Sequence, residues 1–299
     1  MGKRSNQQPV VRLILHKWLL FLIPVLLGIP GISRGAYVSI PQIKSELELE
    51  GEARSFWFTV VAEEQEYAEK VLIEMEKVLG RIRRDLNLKR RLSKKCLVLV
   101  WSSEKDFSEG IIALGLWGGM GAKAFYVPSG GRLPHILCFY RDEDLFPELL
   151  PHELTHLVLH ITLDPSGKCP LPLWLDEGLA ECQTAKDFGE TAANIREARK
   201  SGEYIPLEEL VSFNRYPRER ERIRLFYAES TALVKFLLSN ETYPGEFFQL
   251  AKRLSFWGGG FMKSFRKTYG RKYSDYSALE DDFIKFIEAN AVLDLFPVQ

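Results

Sequence analysis

The chain has 299 residues, 46% of them hydrophobic, enough apolar material for one sizeable core or two smaller ones. Its 40 Lys and Arg balance 40 Asp and Glu. With no basic stripe and no aromatic RNA-binding box, the composition argues against nucleic acid as a partner.

The balance is uneven at the start. Lys3, Arg4, Arg12 and Lys17 precede the apolar run Trp18 to Ile29, and Ser33 and Gly35 are small residues ahead of a potential cut before Ala36. This is the layout of an export signal. The run is short for a membrane span and contains Pro24. Residues 1–35 are therefore expected to be a signal peptide or a retained membrane anchor, the plain alternative being a buried core helix. Either form of export leaves the protein periplasmic, extracellular or membrane-anchored facing outside. The segment has no cysteine, which excludes a lipoprotein anchor, and no acid. The remainder is mildly acidic, with 35 basic residues against 40 acidic ones. Residues 36–54 read as a polar tether.

Phe56 to Ala62 is a β-rich apolar run, followed over Glu63 to Leu86 by helical spacing of Ala68, Val71, Leu72, Met75, Val78, Leu79, Ile82 and Leu86. Cys96 to Trp101 reads as a buried strand. Lys123 to Val127 and Ile136 to Tyr140 flank the turn signal Ser129 to Arg132 and predict a hairpin. Gly118, Gly119 and Gly121 before it form either a flexible lip or an ordinary loop. A helix is expected from near Pro147 to before Asp164-Pro165. From Trp174 onward the pattern is helical: 177–185, 190–200, 207–213, 217–238, 244–254, 261–269 and 276–289, with a break at Gly258 to Gly260. No repeat or low-complexity linker appears. The expected fold is α+β: an N-terminal α/β lobe over 55–170 with a small mixed sheet, then a helical C-terminal lobe over 171–299, with a cleft between them.

The most informative segment is His152-Glu153-Leu154-Thr155-His156. On a helix the two imidazoles emerge on one face, one turn apart, where both can bind one Zn²⁺, and Glu153 projects beside the metal as a base. A catalytic zinc takes three protein ligands and keeps one position open. Pro172 to Glu181 supplies Glu177 as the third ligand, and Glu181, one turn on, shares its face and can accept the outer N–H of His152. Asp176 is the rival ligand, directed about 100° away from Glu177 on a helix. His160 lies about 12 Å along the helix from His152, too far for three metal bonds to converge.

The pairing of HELTH with WLDEGLAE resembles the gluzincin metallopeptidases, and more narrowly the peptidase MA-like domains. The similarity is sharp over about 145–185 and looser from about 55 to 290. It implies one Zn²⁺ per chain on His152, His156 and Glu177, with Glu153 as general base on a zinc-bound water. The same resemblance implies an oxyanion donor from the C-terminal lobe, here Tyr227, with Tyr216 and Tyr204 as weaker candidates. It also implies a substrate strand pairing with the edge strand Ala124 to Val127. The expected activity is hydrolysis of a peptide or protein substrate, with membrane association only through the N-terminal segment. A zinc-binding envelope scaffold that no longer cleaves, and a gluzincin-like hydrolase of a non-peptide bond, remain open; the intact Glu153 argues against the scaffold.

Of the four cysteines, Cys96, Cys138, Cys169 and Cys182, none forms C-x-x-C, so a second structural zinc site is not expected. Export permits disulfides. Cys169 and Cys182 bracket the Trp174 to Glu177 segment, so either a bridge pins the third ligand or all four are small buried hydrophobes.

Overall fold

The computed structural model describes residues 44–45, 47–88, 95–114, 122–127, 134–163, 171–239, 244–257, 260–270 and 273–291. The N-terminal signal or anchor, the three loop glycines, the 129–132 turn and Cys169 lie outside these residues.

The protein is α+β, built on a mixed five-stranded sheet followed by helices. The strands are β1 (Gly51–Arg54), β2 (Phe58–Ala62), β3 (Cys96–Trp101), β4 (Ala124–Val127) and β5 (His135–Tyr140), in the spatial order β1-β2-β3-β5-β4. β2, β3 and β5 run parallel, with Val60 opposite Val98 and Leu99 opposite Cys138. Strands buried on both faces read as unbroken apolar runs, and every residue of β3 and β5 is buried. β1 and β4 pair antiparallel at the two edges. The expected hairpin is thus realised by β4 and β5, with Tyr126 opposite Leu137.

The tether expected over 36–54 is corrected at its C-terminal end. Leu49 is fully buried, and Gly51 to Arg54 form β1 against β2. The signal was the alternation of Leu47, Leu49, Gly51 and Ala53 with Glu48, Glu50, Glu52 and Arg54, obscured by its short, charged polar half. Gly51 is dictated by space: a Cβ there would lie 2.4 Å from the Glu64 carbonyl carbon and oxygen.

Helix α1 (Gln65–Asp85) buries Ala68, Val71, Met75, Val78, Leu79 and Ile82 on one side of the sheet. Helix α2 (Glu104–Ala113) covers the other side with Phe107 and Ile111. It has no counterpart among the expected elements; its signal is Ser103, whose Oγ accepts from the Asp106 N–H as an N-cap. On the α1 side, a π-helical turn (Leu145–Leu149) leads into α3 (Leu150–Leu163), the helix of the HELTH segment. The remaining helices are α4 (Leu173–Glu181), α5 (Phe188–Ser201), α6 (Leu207–Leu210), α7 (Arg220–Leu238), α8 (Pro244–Trp257), α9 (Phe261–Tyr269) and α10 (Tyr276–Ala291). One apolar core runs without a break from Phe58, Val98 and Leu137 through Leu154 and Trp174 to Phe226, Leu233 and Phe283. The helices after α3 therefore extend the sheet's core instead of forming a separate one.

Two contacts position the site. Pro151 has no N–H, so the Pro147 carbonyl lacks its usual helical donor; it accepts from Ala185 N–H at 3.0 Å instead. That bond ties the chain after α4 to the entry of α3. On α4, Gly178 lies against α7, where a Cβ would come within 2.5 Å of the Ser230 carbonyl oxygen.

Candidate metal centre

Residues 150–159 of α3 are buried throughout, so the two histidines are held by packing on every side of the helix. Their Nε2 atoms face each other at 3.1 Å. The α4 helix brings Glu177 Oε2 to 3.3 Å from His152 Nε2 and 3.7 Å from His156 Nε2. His152, His156 and Glu177 are 1%, 7% and 3% exposed, and they are the group among the described residues that can hold a metal ion.

The far sides of both rings meet carboxylates. His152 Nδ1 lies 3.1 Å from Glu181 Oε1, and His156 Nδ1 lies 3.1 Å from Asp176 Oδ1. A neutral imidazole so placed carries its proton on Nδ1 and turns the Nε2 lone pair inward. With both rings neutral, three buried acceptors converge with no donor among them, an arrangement relieved by a metal cation or by protonation of a ring. A four-coordinate ion with bonds of about 2.0–2.2 Å needs ligand–ligand separations of about 3.3–3.6 Å. The observed triangle of 3.1, 3.3 and 3.7 Å brackets that range. The residues present fit a divalent cation that accepts nitrogen and oxygen donors.

Without a metal, the surrounding carboxylates draw protons onto the rings instead, so a metal ion and protons compete for the same Nε2 lone pairs. Burial opposes protonation of His152, but Glu177 and Glu181 outweigh it and lift its pKa to about 10. Burial likewise opposes charge on His156, and Asp176 and Glu177 raise it to about 9. For Glu181 burial opposes ionisation, yet His152 and Lys186 hold the carboxyl down at about 2. Glu153, 2% exposed, has its pKa raised by burial against the pull of both histidines, and its Oε1 makes no hydrogen bond.

Tyr216, on the stretch before α7, donates a hydrogen bond to Glu177 Oε1, the carboxylate oxygen turned away from the histidines. Tyr227, on α7 near the Gly178 crossing, stacks on Tyr216 with centroids 6.1 Å apart and shares a hydrogen bond with it. Burial raises both phenol pKa values well above the usual range, so both stay protonated. Tyr204 is elsewhere: its hydroxyl donates to Glu280 at 3.0 Å. His160 packs edge-on against Tyr126 of β4, with ring centroids 5.5 Å apart, and is not part of the trio. Cys96, Cys138 and Cys182 are free thiols.

The structure thus brings His152, Glu153, His156, Glu177 and Glu181 together. Asp176, weighed from sequence only as a rival ligand, instead backs His156. Its signal was adjacency: residues one apart on a helix diverge by about 100°, so α4 can serve the metal side of one ring and the outer side of the other. The sequence ranked Tyr216 below Tyr227 because nothing local marks a loop tyrosine 39 residues from its partner. Neither the known family models nor the curated proteins compared with this sequence gave a match.

Proposed function

We propose that the chain binds one Zn²⁺ through His152, His156 and Glu177 and hydrolyses peptide bonds as a gluzincin-like metallopeptidase. The observation that carries this reading is the convergence of three buried acceptor atoms, both imidazoles backed by carboxylates, beside a buried carboxyl with an unbonded oxygen. When bound, the zinc supplies Lewis acidity and makes a water more acidic. Glu153 takes a proton from the attacking water at Oε1 and later hands it to the leaving amine; the raised pKa suits it to that exchange. Tyr216 holds Glu177 in place through Oε1. Tyr227 is the proposed donor to the oxyanion that develops on the attacked carbonyl. The substrate would extend along β4, an edge strand of the sheet among the described residues.

Export is part of the proposal, with the folded domain outside the cytoplasm. No described helix is long and apolar enough to cross a membrane, and residues 1–43 lie outside those searched. Intact mass and fractionation test it: a mature N-terminus near Ala36 means release, a full-length membrane-bound chain means an anchor, and soluble full-length cytoplasmic protein overturns both.

The activity is tested by metal analysis together with a broad peptide-library digest, with and without chelator. The expected result is about one zinc per chain and chelator-sensitive cleavage. Full zinc occupancy after replacement of both histidines by alanine would overturn the ligand assignment. Zinc binding without peptide cleavage would overturn the peptidase reading in favour of a scaffold or a non-peptide hydrolase.

A further inference from the structure

We infer that Lys186 is a positioning residue that locks Glu181 in the orientation His152 requires, and that it does so by joining the metal centre to the π-helical turn that starts α3. The inference rests on the metal-site reading above and adds a residue to it.

A carboxylate behind a histidine ligand is useful only if its oxygen stays where the ring needs it. Glu181 sits at the last residue of α4, where the helix no longer restrains it from its C-terminal side. Its two oxygens are divided between two partners. Oε1 faces His152 Nδ1 at 3.1 Å, and Oε2 accepts from Lys186 Nζ at 2.7 Å. With both oxygens engaged, rotation of the carboxylate would break one contact or the other. The ammonium also reaches Glu148 Oε2 at 3.7 Å, on the turn leading into α3. Lys186 therefore touches an acid from each of the two segments whose relative placement sets the distance between the histidines and Glu177.

The lysine is itself held. Ala185 N–H donates to Pro147 O at 3.0 Å, the carbonyl left without a helical donor by Pro151. Arg81 of α1 donates to Gln183 O at 2.6 Å, and Thr184 Oγ1 donates to Glu181 O at 2.8 Å. The short segment 183–186 is thus pinned to α1, to the π-helical turn and to the end of α4. A surface lysine free to swing would not bear this reading; this one, though 37% exposed, is bonded to Glu181 and sits on a backbone segment pinned at a fixed place. Charge adds to geometry. Glu153, Asp176, Glu177 and Glu181 crowd four carboxylates around the metal site, and Lys186 is the ammonium in contact with one of them.

Zinc affinity of the full chain, measured by competition with a chromophoric chelator, tests this without reference to hydrolysis. Lys186→Met is expected to weaken zinc binding by about tenfold or more, Lys186→Arg to stay within about threefold of wild type, and Lys186→Met to add almost nothing in a Glu181→Gln background, in the range seen when groups behind a metal ligand are altered. Thermal unfolding of the metal-free proteins identifies any variant that fails to fold; Lys186→Gln then replaces Lys186→Met in the same cycle. Wild-type affinity in the Lys186 variant, or an equal loss with and without Glu181, would overturn the positioning role while leaving the metal site standing. A wild-type chain that binds no zinc would overturn both.

Discussion

Gly178→Ala tests whether the crossing of α4 over α7 sets the metal centre. A methyl at 178 would come within 2.5 Å of the Ser230 carbonyl oxygen, 2.8 Å of the Ser230 carbonyl carbon and 2.8 Å of Val234 Cγ2. Two of those atoms are backbone, so the helices must move apart; no side chain can rotate out of the way. Overpacking costs about 1–3 kcal/mol, and a backbone obstacle puts this case near about 3. Alanine in place of a helical glycine returns about 1 kcal/mol. The net loss of about 2 kcal/mol lowers Tm by roughly 4–8 °C for a folded unit of this size. Gly80→Ala is the control: the nearest atom to a Cβ there is Arg84 Nη1 at 3.8 Å, so helix propensity acts alone and stabilises by about 1 kcal/mol. Thermal unfolding followed by circular dichroism compares the two. The outward shift also carries Glu177, the preceding residue, and metal–ligand distances tolerate only about 0.2 Å, so zinc affinity should fall by roughly tenfold or more. A Gly178→Ala protein as stable as wild type, or more stable, would refute the reasoning, because propensity alone predicts the opposite sign from the clash.

Further outcomes follow from the same geometry. Glu153→Gln should retain zinc and lose several orders of magnitude in kcat, since the amide has the carboxyl's size but cannot take a proton; activity within about tenfold of wild type would remove Glu153 as the base. Glu181→Ala should weaken zinc binding by about 10–100-fold without abolishing it, measured by chelator competition, and an unchanged affinity would make Glu181 a helix charge with no role at the metal. Tyr216→Phe should lower zinc affinity through Glu177, whereas Tyr227→Phe should lower kcat with zinc retained; the reverse pattern in metal titration and kinetics would exchange the two roles. Glu229 is fully buried on α7, accepts from Ile205 N–H at 3.0 Å, and has its pKa pushed well above 4.5 by burial. The folded state therefore holds its proton more tightly than the unfolded one. The stability this confers is complete below about pH 4.5 and is lost as pH rises through the raised folded-state value. Urea midpoints at about pH 5 and about pH 8 should fall more steeply for wild type than for Glu229→Gln, and parallel profiles would contradict the assignment.

Much of the scaffold was legible because its signals are local. The unbroken apolar run Cys96 to Trp101 is β3 to the residue, and the three-and-four spacing after Glu63 is α1. His152 and His156 share a face, as do Glu177 and Glu181, because the 3.6-residue period fixes directions within a helix whatever surrounds it. The sequence alone therefore determined which side chains could serve one metal and that α4 would place a second carboxylate, Glu181, on the same face as Glu177. It could not determine that Asp176 meets His156 Nδ1, that Tyr216 and not Tyr204 reaches Glu177, that Leu49 and β1 close the sheet, or that Lys186 bridges Glu181 to Glu148. Those depend on the distance and angle between elements far apart in the chain. A bare glycine at 178 against Ser230, and a carbonyl at Pro147 freed by Pro151 to accept from Ala185, set them here. Neither has meaning until the partner segment is packed beside it, so only the tertiary structure decided how His152, Glu153, His156, Glu177 and Tyr216 come together.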